Sequence, residues 1–213
     1  LEWKEKRSDK YALLIKGARR VGKSTIAEEF AKKEFKSYIL IDFAHTSKEI
    51  IELFDDTYNL DFFFLQLQQL TGVRLYEKES VIIFDEVQLL PKARQAIKYL
   101  VADGRYKYIE TGSLLSIKKN TKDILIPSEE HKISMYPMDF EEFLMAMGED
   151  QLLKLMHSKD YALMNAFHEK LKDYLRQYYY VGGMPEVVKM YMENKLLGQV
   201  RTIQNEILSN YAS

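Results

Sequence analysis

Two kinds of hydrophobic pattern alternate along the first two thirds of the chain. Short apolar runs, several rich in β-branched residues, are typical of strands that are covered on both faces of a parallel sheet. We predict strands at 11–15, 37–43, 81–84 and 106–111, with a fifth candidate at 131–135. Apolar residues at helical spacing separate them, at 25–33, 47–54, 61–70 and 91–102. The alternation predicts an α/β fold with a parallel sheet flanked by helices.

The rest of the chain has helical patterning alone. From Asp139 onward we predict helices, including long ones over 161–180 and 186–208, with a turn at Gly182-Gly183-Met184-Pro185 between them. We therefore place a boundary at Tyr136-Pro137 and predict two domains, a core of residues 1–136 and a helical lid or linker region of residues 137–213. At the other end, the polar segment 1–10 contains Trp3, which we expect to pack on the first strand.

The most informative segment follows the first predicted strand. Residues 17–24 read Gly-Ala-Arg-Arg-Val-Gly-Lys-Ser, the G-x-x-x-x-G-K-S pattern of a phosphate-binding P-loop, and a helix follows. We expect Gly17 and Gly22 to allow backbone angles that side chains would block, so that backbone N–H groups can surround a polyphosphate. The positive end of the helix adds to this attraction. The alternative is a glycine turn with an incidental lysine.

Two side chains of this loop have predicted roles in chemistry. Lys23 can reach the β- and γ-phosphates, and the Ser24 hydroxyl can hold Mg²⁺. The pattern thus predicts a nucleotide-binding segment and a metal ligand within it. The predicted nucleotide-binding residues are Gly17, Ala18, Arg19, Arg20, Val21, Gly22, Lys23, Ser24 and Thr25.

An acidic pair supplies the second part of the predicted site. Asp85 and Glu86 directly follow the apolar run 81–84. Ligands of open α/β sheets bind at the carboxyl ends of the strands, which is where P-loop NTPases carry the Walker B aspartate. We expect Asp85 to hold Mg²⁺, mostly through water, and Glu86 to activate the attacking water as general base. The alternative is a solvated strand end.

A third polar segment, Thr111-Gly112-Ser113, ends the strand predicted at 106–111. In ATPases with an additional strand between the P-loop and Walker B strands, a polar residue there senses the γ-phosphate. Thr111 is the first candidate and Ser113 the second, and the alternative is a simple glycine turn. The preceding Glu110 is unusual in a buried strand, because a buried carboxylate needs a partner. Three arginines are candidate partners: Arg19, Arg20 and Arg94.

Composition narrows the function classes. The chain has 213 residues, 46% of them apolar, which is enough for one or two globular units. A net charge of −1 gives no global electrostatic argument for nucleic acid or membrane as a partner. The absence of cysteine fits a reducing, cytoplasmic compartment. No apolar run approaches the roughly 20 residues of a membrane span. No signal peptide is visible, although the chain begins at Leu1, so a removed leader stays open.

Five segments, in this order, resemble a large prokaryotic family of AAA-type ATPases. The five segments are 17–24, Phe84-Asp85-Glu86-Val87-Gln88, Glu110-Thr111-Gly112-Ser113, Met135 to Phe143 and Gly182-Gly183-Met184-Pro185-Glu186. The last two are the most specific to the family. The resemblance covers nearly the whole chain and implies a P-loop ATPase core followed by a helical segment. It also implies ATP at Gly17 to Thr25, Mg²⁺ at Ser24 and Asp85, water activation at Glu86, and a sensor near Thr111 to Ser113.

The chain departs from this family in two respects. Family members are longer and carry a C-terminal domain of unknown function with a suggested restriction-nuclease-like fold. This chain stops at Ser213 in a predicted helix, so we expect that domain to be absent. No arginine finger is identified either. Arg94 and Arg105, which we expect to be exposed, are candidates, although an exposed charged residue usually has no such role.

The predicted function is Mg²⁺-dependent ATP hydrolysis, with Lys23, Ser24, Asp85 and Glu86 acting by positioning and electrostatics. The nucleotide state is expected to move the helical region against the core. The alternative is a nucleotide-gated module that binds protein or DNA and hydrolyses little ATP. A small-molecule kinase is least favoured, because the region after Thr111 has no cluster of arginines.

The guanine-reading N-K-x-D motif is missing, since residues 120–123 have similar letters in the wrong order. A homo-oligomer is a further expectation, and the sequence identifies no macromolecular partner.

Overall fold

The computed structural model describes residues 1–113 and 127–212. Residues 120–123, and with them much of the region after Thr111, lie outside the described residues. Within the described part, five parallel strands form one sheet in the order β2-β3-β4-β1-β5. The predicted α/β fold with a parallel sheet is confirmed. The strands are β1 Ala12–Gly17, β2 Ser37–Asp42, β3 Ser80–Asp85, β4 Lys107–Ser113 and β5 Glu130–Met135.

Strand β4 lies between β1 and β3. It pairs with both, so that Ile15 lies beside Thr111, and Gly17 beside Ser113. On its other side, Glu110 lies beside Phe84 of β3. Because all these strands run in the same direction, the P-loop, the acidic pair and the end of β4 meet at one edge of the sheet.

Helices cover both faces of the sheet. They are α1 Glu2–Lys6, α2 Lys23–Glu34, α3 Lys48–Glu52, α4 Leu60–Thr71 and α5 Pro91–Asp103. Local signals explain where several begin: the Asn59 side chain accepts a hydrogen bond from the Phe62 backbone N–H at the start of α4, and Pro91 is the first residue of α5. The helix predicted at 47–54 is α-helical only to Glu52 and continues as a 3-10 helix, Leu53–Asp55.

The two faces of the sheet belong to different hydrophobic clusters. On one face, Phe63 and Leu67 of α4 and Ile97 of α5 pack with apolar side chains of the strands. On the other face, Ala27 and Ala31 of α2 pack together with Trp3. Trp3 is 6% exposed and donates a hydrogen bond from Nε1 to the Tyr11 carbonyl at 2.8 Å, as expected for a lead-in segment packed on the first strand. Its segment is nevertheless a helix, α1, which the sequence did not predict.

The chain divides into two compact units, Leu1–Met135 and Tyr136–Ser213. The described residues of the second unit are helical, which confirms the predicted helical region. Both long predicted helices are wrong, however: the first is broken at Phe167 and the second at Lys195 and Leu196. The observed helices are α6 Phe140–Ala146, α7 Asp150–Ser158, α8 Tyr161–Ala166, α9 His168–Val181, α10 Pro185–Asn194 and α11 Leu197–Ala212.

Two segments of the second unit, one before α6 and one before α10, meet at Met138 and Gly183. The Met138 N–H donates to the Gly183 carbonyl at 2.7 Å, so the predicted turn before α10 is held against the chain before α6. Asp139 and Glu142 form a capping box that starts α6. Among the described residues, no helix combines the length and the apolar character needed to cross a lipid bilayer.

Candidate functional site

The P-loop connects β1 to α2 through two left-handed backbone positions. Gly22 has φ 90°, as predicted for a glycine that allows unusual backbone angles, and Arg20 has φ 62°. Gly17 does not have a positive φ, so the predicted unusual backbone angle is not the reason that a glycine stands at this position. A Cβ at Gly17 would overlap the Met135 carbonyl oxygen and lie 3.2 Å from its carbon. Gly17 therefore allows β5 to pass close to the start of the loop.

Lys23 is the first residue of α2 and is 4% exposed. Its Nζ donates to the carbonyl of Ala18 at 2.8 Å, inside the loop that it follows. Burial lowers the pKa of the Lys23 ammonium, while the carboxylates of Glu86 and Asp85 oppose this effect. The lysine and the acidic pair are thus close enough to interact electrostatically, as a shared phosphate site requires.

Asp85 is the centre of a hydrogen-bonded cluster. The Ser24 hydroxyl donates to Asp85 Oδ1 at 2.6 Å, although 61 residues separate them. The Thr111 hydroxyl donates to the same oxygen, and Thr111 Oγ1 accepts from the Glu86 backbone N–H at 3.2 Å. Asp85 is 7% exposed and Thr111 is fully buried. The structure therefore brings together the two predicted Mg²⁺ ligands, the predicted base and the first sensor candidate.

The other predicted residues have different places around this cluster. Ser113 is buried at the end of β4, beside Gly17. Val21 is fully buried, whereas Arg19, Arg20 and Thr25 are exposed. Val21 thus adds an apolar side chain to the core, and the three polar side chains lie at the surface, where they could contact a nucleotide.

Gln88 is a site residue that the sequence reasoning missed. It lies in the 3-10 helix Val87–Leu89, directly after Glu86, and it is 5% exposed. Its Nε2 donates to Glu86 Oε2. The signal in the sequence was an amide side chain two residues after the predicted base and between two apolar residues. An amide buried among apolar residues needs a hydrogen-bond partner, and the base is the nearest acidic side chain in the sequence.

The arginine expectations need correction. Arg94 is 3% exposed, so it is not the exposed arginine that we expected. Its guanidinium donates two hydrogen bonds to Glu130, from Nε at 2.7 Å and from NH2 at 2.9 Å. Arg94, one of the three candidate partners of Glu110, therefore gives these hydrogen bonds to Glu130, although its charge also acts on Glu110. Arg105 is committed to ion pairs with Asp103 and Asp61 at the surface.

The donor set suits a Mg²⁺–nucleotide. A hydroxyl and a carboxylate are oxygen ligands, and Mg²⁺ in nucleotide sites takes only one or two protein ligands beside phosphates and water. The buried ammonium of Lys23 and the start of α2 lie on the same edge and can accommodate phosphate charge. A cofactor of this kind would supply the phosphoryl group and the metal charge, while Ser24, Asp85 and Lys23 would hold them.

The chain is similar to known proteins in family and in fold. Residues 9–144, more than half of the chain, match the model of a family described as an AAA domain. A chain from the structure of Drosophila ORC bound to DNA is 16% identical with a TM-score of 0.52, and the match covers 98% of this chain and 65% of that one. A chain of C. elegans PCH-2 is 14% identical with a TM-score of 0.47, covering 100% of this chain and 64% of that one.

The sequence thus spans just under two thirds of each of those chains. No curated protein matches it. The likeness to the ORC chain supports the fold, a P-loop NTPase of AAA type, and the family match agrees with it. The chain belongs to the AAA domain family and is a nucleotide-binding protein of AAA type.

Proposed function

We propose that this chain binds ATP and hydrolyses it in a Mg²⁺-dependent reaction. The observation that carries the proposal is the hydrogen bond between Ser24 Oγ and Asp85 Oδ1, at 2.6 Å. It joins a hydroxyl of the P-loop helix to a carboxylate at the end of β3, with Glu86 next in the chain. This is the oxygen pair to which a nucleotide-bound Mg²⁺ would be attached.

The roles follow from the positions. Residues Gly17 to Thr25 hold the phosphates, Lys23 neutralises charge on the β- and γ-phosphates, and Ser24 and Asp85 hold Mg²⁺. Glu86 accepts a proton from the attacking water. Thr111, which contacts both members of the acidic pair, is the group that reports the γ-phosphate, with Ser113 beside it at the end of β4.

A phosphate-release assay with purified protein, ATP and Mg²⁺ tests the proposal. We expect turnover that EDTA removes and added Mg²⁺ restores. Glu86→Gln keeps the shape of the side chain but not its basicity, so we expect ATP binding to persist and turnover to fall by about 100-fold or more. Lys23→Ala should weaken ATP binding itself. Turnover of Glu86→Gln at the wild-type rate would show that another group activates water.

The second candidate function is a nucleotide-gated module that binds protein or DNA. A binding titration that detects ATP, together with no phosphate release in the assay above, would support it. The assay is run with and without DNA, because the chain of similar fold comes from a complex bound to DNA. A function of residues 137–213 as a helical lid and a homo-oligomeric state both stay predictions.

A further inference from the structure

We propose that Gln88 is a positioning residue that fixes the carboxylate of Glu86 for water activation. The inference rests on the proposed function, since it requires Glu86 to act as the base. It adds a residue that neither the P-loop nor the acidic pair contains. Its basis is the amide hydrogen bond from Gln88 Nε2 to Glu86 Oε2.

Glu86 is held at its backbone as well as at its carboxylate. Its φ of 54° and ψ of 45° place it in the left-handed region, which non-glycine residues adopt rarely. The backbone N–H donates to Thr111 Oγ1 at 3.2 Å, which fixes this unusual turn to β4. The direction in which the Glu86 side chain leaves the chain is therefore set by β3 and β4. The remaining freedom lies in the side-chain torsions, and Gln88 acts on these.

The turn after Glu86 explains why Gln88 can reach back to it. Residues Val87–Leu89 form a single turn of 3-10 helix directly after the left-handed Glu86, and across this turn the amide of Gln88 reaches the carboxylate of Glu86. Val87 is fully buried and Gln88 is 5% exposed. A buried amide is costly unless it is hydrogen-bonded, so an apolar residue would satisfy this position better if packing were its sole role.

The contact leaves Glu86 able to work as a base. A carboxylate has two oxygens with about four acceptor sites, and one amide N–H occupies one of them. The Oε1 atom can then accept a hydrogen bond from a water, while Oε2 is anchored. General-base catalysis depends on the base standing within hydrogen-bond reach of the proton it removes, and a misplacement of about 1 Å can lower a rate by roughly 100-fold.

The test is Gln88→Met, which keeps the length of the side chain and removes the amide donor. Gln88→Glu, of the same shape but without an N–H, is the second variant. Gln95→Met, at an exposed position of α5, is the matched control. We expect kcat to fall by about 10- to 100-fold in both Gln88 variants. The KM for ATP and the affinity for a non-hydrolysable analogue should change by less than about twofold, because Gln88 acts through Glu86 and not on the phosphates. Gln95→Met should match the wild type.

The double variant Glu86→Gln/Gln88→Met separates positioning from a structural role. If Gln88 acts through Glu86, the double variant hydrolyses ATP no more slowly than Glu86→Gln alone. Wild-type kcat in both Gln88 variants, a further loss in the Glu86→Gln background, or a parallel loss of nucleotide affinity would each overturn the inference while leaving the proposed function intact. A wild-type chain without turnover overturns both. Wild-type turnover by Glu86→Gln overturns this inference and the role of Glu86 as base, while ATP hydrolysis by the chain stands. If Gln88→Met does not fold, Gln88→Glu decides on the same criteria.

Discussion

At the scale of single residues, Glu110 has an unusual environment for a carboxyl group. It is fully buried in β4, and neither carboxylate oxygen accepts a hydrogen bond within the part of the chain that the structure describes. Arg94, whose charge acts on Glu110, donates its hydrogen bonds to Glu130 instead. Burial raises the pKa of Glu110 well above its usual value, and the charge of Glu130 adds to this, while Arg94 and Lys132 act in the opposite direction.

This environment makes the stability of the fold depend on pH. Below the ordinary value of 4.5, Glu110 is protonated in both the folded and the unfolded chain. Above it, the unfolded chain releases the proton while the folded chain retains it, so stability falls with rising pH until the folded pKa is reached. The slope from one such group is at most about 1.4 kcal/mol per pH unit. Glu110→Gln cannot ionise, so its free energy of unfolding should increase relative to that of the wild type as the pH rises.

Urea denaturation at a series of pH values from about 4 to 8 measures this margin. Glu193→Gln, at an exposed position of α10, is the control and should give a curve parallel to the wild type. A constant difference between Glu110→Gln and the wild type over the whole range would contradict the prediction. It would mean that Glu110 is ionised in the folded chain near its ordinary pKa.

Some of these residues could be found from sequence and others could not. Ser24, Asp85 and Thr111 could be found because each follows or ends a strand in a recognisable motif. The partner of Arg94 could not, because Glu130 is 36 residues away and the pairing depends on how α5 lies against β5. Gln88 stands next to the motif, yet its contact depends on the left-handed turn at Glu86.

At the scale of elements, the same distinction applies. Four strands were predicted and the fifth, β5, was a candidate. A continuous apolar run identifies a strand such as β3, whereas most residues of β5 are polar. The breaks in the C-terminal helices were not, because no glycine or proline marks them. Helix α10 ends at Asn194, and the next residue, Lys195, has φ 54°. Helix α8 ends at Ala166, and Phe167 after it carries no capping signal. A lysine in the left-handed region has no sequence signature, so helical spacing continues across the break.

Gly183 provides a prediction about the turn between α9 and α10. A Cβ there would lie 2.9 Å from the carbonyl carbon and the nitrogen of Met138, and still closer to the carbonyl oxygen. That oxygen also accepts a hydrogen bond from the Tyr178 hydroxyl at 2.9 Å, so it has little freedom to move. We expect Gly183→Ala to lower the free energy of unfolding by about 1–3 kcal/mol, as overpacking usually does.

Gly198 is the matched control for this substitution. It lies in α11, and a Cβ there would have no atom within 4 Å. Gly198→Ala should therefore raise stability by up to about 1 kcal/mol through helix propensity alone. Denaturation curves for the two variants should move in opposite directions. Equal stability of Gly183→Ala and the wild type would show that the segment at Met138 can shift to make room.

At the scale of the whole molecule, the parallel sheet places distant residues at a single edge. Ser24, Asp85 and Thr111 come from three parts of the chain, and they share one hydrogen-bonded cluster because β4 lies between β1 and β3. The sequence predicted that such an edge exists. The sensor hypothesis for Thr111 assumed a strand between β1 and β3, which is where β4 lies, whereas the positions of β2 and β5 in the sheet were not predicted.

The site at this edge couples ligand binding to the stability of the molecule. A nucleotide that binds the folded chain alone raises the free energy of unfolding by about 2.7 kcal/mol at 100 times its Kd. For a chain of this length, that corresponds to a rise in Tm of about 5–10 °C. A non-hydrolysable ATP analogue with Mg²⁺ should produce this rise in the wild type and also in Glu86→Gln, because this substitution removes no phosphate contact.

Lys23→Ala should lose most of this rise in Tm at the same analogue concentration, because it removes the buried cation of the P-loop. Lys98→Ala, which removes an exposed lysine from α5, is the control for the change in net charge and should keep the full rise. A thermal-shift series with all four proteins measures the effect without requiring turnover. Stabilisation that survives Lys23→Ala undiminished would mean that the nucleotide binds away from the P-loop, and the cluster around Asp85 would then need a different ligand.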